Sequence, residues 1–149
     1  KKGVMSKPTL YVSQYLDQNE MRYKDSLREI TENGDWTGWI SFFLDAIKWQ
    51  ADRNYTVVRK IMDYYESTKA KIIDITSSQH AILLLDAMIA KPIFRQSSLK
   101  LSSNPSSATI YALLKKLVKA EIVSVYDIGA GRSATLYWLK DLLEISDSL

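Results

Sequence analysis

The 149-residue chain contains no cysteine, so neither a disulfide framework nor a cysteine-based zinc site can be built from it, and a reducing, cytoplasmic setting is expected. Histidine occurs once, at His80, which excludes a metal site that needs two imidazoles. A Ser-His-Asp triad can be drawn around it on paper, but its place in the first turn of a helix points to a surface or interface role. Aspartate and glutamate are scattered along helical faces without the paired cluster that general acid–base chemistry needs. Glycine is scarce, and Gly129-Ala130-Gly131 lies between two strand-like runs rather than between a strand and a helix, so it is no phosphate loop. Long hydrophobic runs are missing too. The most apolar one, Ala81 to Ile89, is broken by Asp86 and falls well short of the roughly 20 residues that cross a bilayer, so no membrane-spanning segment or secretory signal is expected. Catalysis, a bound cofactor, a metal and a membrane partner are therefore not expected of this chain.

What is present is ordinary globular material: 46% apolar residues, enough to predict a buried core. The net charge of +3 is too small to imply nucleic acid by itself, but it is unevenly placed. Between 91 and 132 stand Lys91, Arg95, Lys100, Lys115, Lys116, Lys119 and Arg132 against only Glu121 and Asp127, a local excess of five positive charges.

The first half reads as helix from near Pro8, with Tyr15, Leu16, Tyr23, Leu27 and Ile30 on one side. Asn33-Gly34 should end it with a left-handed cap, and Asp35 should open the next helix by accepting backbone N–H groups. From there Trp36, Trp39, Ile40, Phe43 and Ile47 form an apolar stripe of helical period, which leaves Phe42 and Trp49 for a second buried face against a missing partner domain. The two helices are expected to be antiparallel. The second could run to Ile75 or fray around Asn54.

Near Ile75-Thr76-Ser77-Ser78 the period resets, which divides the chain into a helical segment, 1–75, and a second domain, 76–149. Ser78 is expected to cap a helix carrying Ile82, Leu83, Leu85, Met88 and Ile89, ended by Pro92. A short amphipathic piece anchored by Leu99 and Leu101 follows. Asn104-Pro105 predicts the start of a third helix, because Pro at the first helical position gives up an N–H that has no partner there. Its buried face should be Ile110, Leu113, Leu114 and Leu117. Ile122 to Tyr126 and Ala134 to Trp138 are β-branched and aromatic runs joined by a Gly-rich loop, Asp127 to Ser133, and a last helical turn spans 141–145. Helix, helix, turn, helix and hairpin is the order of a winged helix-turn-helix, so the expected fold is mainly α, with a two-stranded β-hairpin at the C-terminal end.

Such domains lay the third helix in the major groove and the hairpin tip along the neighbouring backbone. With Ile110, Leu114 and Leu117 inward, Ser107, Ala108, Thr109, Tyr111, Ala112 and Lys115 are left to face a groove. Ser106 and Ser107 stand where hydroxyls and free N–H groups can meet a phosphate, and Lys100, Lys115, Lys116 and Arg132 add charge. The candidate nucleic-acid contacts are thus Ser106, Ser107, Thr109, Tyr111, Lys115, Lys116 and Arg132, with double-stranded DNA as the partner. This face has no Arg, Asn or Gln for bidentate base contacts, which keeps a protein-interaction or dimerisation module open as an alternative.

The first half also resembles the Fic family of protein AMP-transferases. The resemblance is carried by Ser6-Lys7-Pro8-Thr9-Leu10-Tyr11-Val12-Ser13, then Tyr23 and Leu27, then Gly34-Asp35-Trp36, Trp39-Ile40 and Phe42-Phe43-Leu44, ending at Gln50-Ala51. This is similar to the segment that follows the family's active-site motif, H-x-F-x-D-G-N-G-R, which the chain itself lacks. The opening Lys1-Lys2-Gly3-Val4-Met5 reads like the middle of a longer protein. The resemblance implies a parent that uses ATP, a missing catalytic Fic domain as a partner of this piece, and no catalytic residue within it. A homodimer is a further option, and so is a stand-alone transcription regulator unrelated to Fic.

Overall fold

The computed structural model describes residues 11–129 and 134–147. The chain is mainly helical with a small three-stranded antiparallel sheet. It forms two compact units that divide between Thr56 and Val57, within one long helix.

In the first unit the single helix expected up to Asn33 is two: α1, Ser13–Gln18, and α2, Glu20–Asn33. The break falls at Asn19, whose side-chain amide donates to the Tyr15 carbonyl at 2.9 Å. An Asn that bonds its own local backbone competes with helix propagation, and this is the physical reason for the interruption. The predicted start near Pro8 lies outside the described residues.

Gly34 ends α2 in the left-handed conformation, φ 69°, as expected. Its N–H donates to Ile30 O and that of Asp35 to Glu29 O, a Schellman closure. The Asp35 carboxylate then accepts the Gly38 N–H at 2.9 Å, so one residue closes α2 and opens α3, Trp36–Thr76. There is no fraying at Asn54, whose side-chain oxygen accepts from Gln50 at 2.8 Å.

The apolar stripe read from the sequence turns inward only in part: of its members Trp39 packs on the core of this unit, whereas Trp36, Ile40 and Phe43 are exposed. Phe42 and Ala46 are buried with Tyr15, and Trp39, Trp49 and Tyr23 pack around them. Tyr15 lies 5.8 Å from Phe42 and 5.6 Å from Trp49 by ring centroids, and Tyr23 lies 5.7 Å from Trp39. Trp36, Ile40, Phe43 and Leu44 are exposed instead. Periodicity finds both faces of α3, but which one meets α1 and α2 depends on where Tyr15 and Tyr23 stand. Phe42 and Trp49 therefore need no missing domain to cover them.

In the second unit α3 ends at Thr76, and Ser77 adopts φ 45°. Helix α4, Ala81–Ala90, begins three residues after Ser78, the expected cap. Ser78 uses its hydroxyl to accept the His80 N–H at 3.2 Å, and the helix starts only after this turn. A strand that the sequence reading did not contain, β1, Ile93–Arg95, follows with a 3-10 turn at Gln96–Ser98. Leu99 and Leu101 are buried anchors, as expected.

Helix α5, Ser107–Lys119, starts later than Asn104-Pro105 predicts. Asn104 takes a left-handed conformation, φ 44°, and Ser106 is the cap, its hydroxyl accepting the Thr109 N–H at 3.1 Å. A cap that reaches the third helical N–H outcompetes a proline whose only contribution is a missing one. The buried side of α5 is Ile110, Leu113, Leu114 and Leu117, as predicted.

Strand β2, Ser124–Asp127, and β3, Leu136–Trp138, pair antiparallel with a bulge between Val125 and Asp127. The outer partner of β3 is β1, so the order is β1-β3-β2 rather than the two-stranded hairpin expected. Helix α6, Lys140–Asp147, closes the chain and is longer than the predicted turn. The core joins Ile72 of α3, Leu84, Leu85 and Met88 of α4, Phe94 of β1, Leu114 and Leu117 of α5, and Val123 and Leu139.

Two tyrosines of α3 are tuned by this packing. Tyr65 donates its O–H to Asp86 at 2.8 Å, which holds its phenol above the ordinary range. Burial raises that of Tyr64 above 10.0, a Thr68 hydrogen bond opposes the rise and nearby Asp141 adds to it. Because the fold favours the neutral Tyr64 phenol, its contribution is intact below about pH 10 and is lost as pH rises through the folded value. Thermal melts taken above that pH should therefore fall with pH, and Tyr64→Phe should flatten the fall; an unchanged slope in the variant would refute this.

Candidate nucleic-acid interface

The face of α5 turned away from the core carries Ala108, Tyr111, Ala112 and Lys115, all exposed. They recur at intervals of three and four, so they line one side of the helix opposite Ile110, Leu113, Leu114 and Leu117. Lys119, exposed and one turn beyond Lys115, continues the row. It was not among the residues picked from the sequence, although its spacing of four from Lys115 is a readable signal. Tyr111 is 54% exposed, a large aromatic with one polar end on an otherwise small-residue surface.

The hydroxyl residues at the start of the helix have distinct duties. Ser106 is spent within the helix: its oxygen accepts the Thr109 N–H and lies 2.8 Å from the Thr109 hydroxyl. Thr109 itself is half-buried. Ser107, the first helical residue, is exposed and is touched from outside the helix by Gln96, whose amide donates to its carbonyl at 2.6 Å and to its hydroxyl at 2.9 Å. No sequence signal marks Gln96, because its partner stands eleven residues away.

The basic residues also separate. Lys115 points outward, whereas the Lys116 amino group donates to the Thr76 carbonyl at 3.4 Å, the last residue of α3. A cation there meets the negative end of that helix, so Lys116 is engaged in the fold. Lys100 is exposed and shares an open groove with Lys91 and Ser98. Arg95 donates to the Ala134 carbonyl at 3.4 Å, at the approach to β3. Arg132, the predicted wing-tip contact, lies outside the described residues. The loop that would carry it begins at Gly129, φ 74°, whose N–H donates to the Asp127 carboxylate at 3.0 Å.

His80 lies 2.8 Å from the Ser103 hydroxyl through Nδ1, linking the turn before α4 to the turn before α5. Among the described residues no group of three His, Cys, Asp or Glu side chains is placed to hold a metal ion, and no helix is long and apolar enough to cross a membrane. The arrangement can therefore present an amphipathic helix, a row of hydroxyl and ammonium donors and a neighbouring hairpin to a partner. No family model and no curated protein matches the chain.

Proposed function

We propose that the segment from α4 to α6 is a winged helix-turn-helix that binds double-stranded DNA through α5, and that the first unit is the part of a Fic-like domain that follows its active-site motif. The observation that carries the DNA reading is the outward row Tyr111, Lys115 and Lys119 on an amphipathic helix held beside a hairpin. The order α4, β1, 3-10 turn, α5, β2, β3, with β3 between the other two strands, fits a winged helix in which the second helix has shrunk to one turn. In this reading Ser107 and Lys115 meet phosphates, Tyr111 packs on the groove wall, and the hairpin loop runs along the adjacent backbone.

Retention of a labelled duplex measured across a salt series tests it, since each phosphate neutralised steepens the fall of affinity with salt. Lys115→Ala and Lys119→Ala should each weaken binding and reduce the salt slope by about one unit. Wild-type chain that ignores duplex DNA at low salt would refute the DNA reading. The protein-interaction alternative is favoured by one observation: the outward face carries no Arg, Asn or Gln and its neighbour Lys116 is tied to Thr76.

For the first unit, the exposed row Trp36, Ile40, Phe43 and Leu44 supports a larger parent domain, because so much apolar surface on one helix face calls for a cover. The parent would then be an ATP-using AMP-transferase and this portion non-catalytic. The coding sequence upstream of Lys1 decides the point: a histidine-bearing H-x-F-x-D-G-N-G-R motif there is expected, and its absence refutes the assignment.

A further inference from the structure

We propose that Gln96 is a positioning residue of this interface, one that holds the Ser107 hydroxyl as a hydrogen-bond donor toward the DNA backbone; the inference rests on the DNA reading above. Gln96 belongs to the 3-10 turn after β1, and its side chain spans to the first residue of α5. Its Nε2 donates to Ser107 O, 2.6 Å away, and to Ser107 Oγ, 2.9 Å away. A serine hydroxyl has one proton to give and lone pairs to receive with. With one of its lone pairs receiving the Gln96 N–H, the Ser107 hydroxyl keeps its proton free to donate.

The direction of that donation selects the partner. Phosphate oxygens only accept, so a hydroxyl whose proton is free to donate matches a DNA backbone. Ser106 differs in this respect, because its hydroxyl is also paired within the helix with the Thr109 hydroxyl, 2.8 Å away. A glutamate at position 96 would reverse the polarity: its carboxylate would draw the Ser107 proton inward and set a negative charge beside the phosphate.

A double-mutant cycle on labelled duplex DNA at fixed low salt tests the proposal. Gln96→Met keeps the size and removes the donor; Ser107→Ala removes the hydroxyl. Each should weaken binding about fivefold, and the double variant should also stay near fivefold, because both changes delete one contact. Effects that multiply, or Gln96→Met that binds like wild type, overturn the role of Gln96 while leaving DNA binding intact. If Gln96→Met melts early, Gln96→Glu takes its place, and it should bind more weakly than Ser107→Ala. Wild-type chain that fails to bind duplex at all overturns the DNA reading, and the proposal falls with it.

Discussion

Leu117→Ala should cost the second unit about 3 kcal/mol, within the span measured for fully buried leucines cut back to alanine. Leu117 is 0% exposed at the last full turn of α5, where α3, α4, α5 and β1 contribute to one core. Its backbone is equally committed, since its carbonyl accepts the N–H groups of Ile122 at 3.0 Å and Val123 at 3.3 Å as the chain turns into β2. The surrounding residues are therefore tethered and can do little to fill the cavity, which keeps the cost above the bottom of the range. For a unit of this size, such a loss lowers the melting temperature by roughly 12–24 °C. Urea and thermal unfolding followed by circular dichroism measure it. A loss no larger than that of Lys115→Ala, on the opposite face, would mean that α5 does not pack on Leu117.

The second large effect distinguishes the two apolar faces of α3. Phe42→Ala is expected to cost about 3–5 kcal/mol, because the ring is 3% exposed and stands at the centre of an aromatic group. Its centroid lies 5.8 Å from Tyr15, 6.3 Å from Tyr23 and 6.0 Å from Trp39, and the Arg22 guanidinium sits over it at 5.6 Å. A core this small has few other contacts to fall back on, so α1 and α2 should come away from α3, with loss of helical signal and a red shift of Trp39 and Trp49 fluorescence. Leu44→Glu, at a position 58% exposed, should change stability by no more than about 0.5 kcal/mol. A Leu44→Glu variant that unfolds beside a stable Phe42→Ala variant would refute the burial of Phe42.

Local chemistry was legible where it is complete within a few residues. The Gly34 closure and the Asp35 cap follow from backbone groups that need partners and from side chains adjacent to them. The buried side of α5 follows from four apolar residues at helical spacing, and the β2–β3 hairpin from two β-branched runs around a Gly-rich loop. Legibility failed where two local signals compete. Asn104-Pro105 and Ser106 both offer a helix start, and only the conformation of Asn104 shows that Ser106 takes it. Asn19 looks like an ordinary helical position until its amide is seen on Tyr15 O.

The outward row of the candidate interface was read in most of its members, since an amphipathic helix declares both of its sides. What could not be read was which polar side chains are free. Lys115 and Lys116 are equivalent in sequence, yet Lys116 is drawn to Thr76, forty residues away. Gln96 was invisible for the same reason, its role existing only once the turn after β1 lies against α5.

By itself, then, the order of residues determined most of the helical course, the Gly34 closure and Asp35 cap, the hairpin and the absence of cysteine chemistry, because each depends on neighbours a few positions apart. The tertiary structure decided which face of α3 is buried, that β1 completes the sheet against β3, and which donors of α5 remain available. Those choices rest on contacts between groups far apart in the chain. Periodicity can count the faces of a helix, but only packing selects among them.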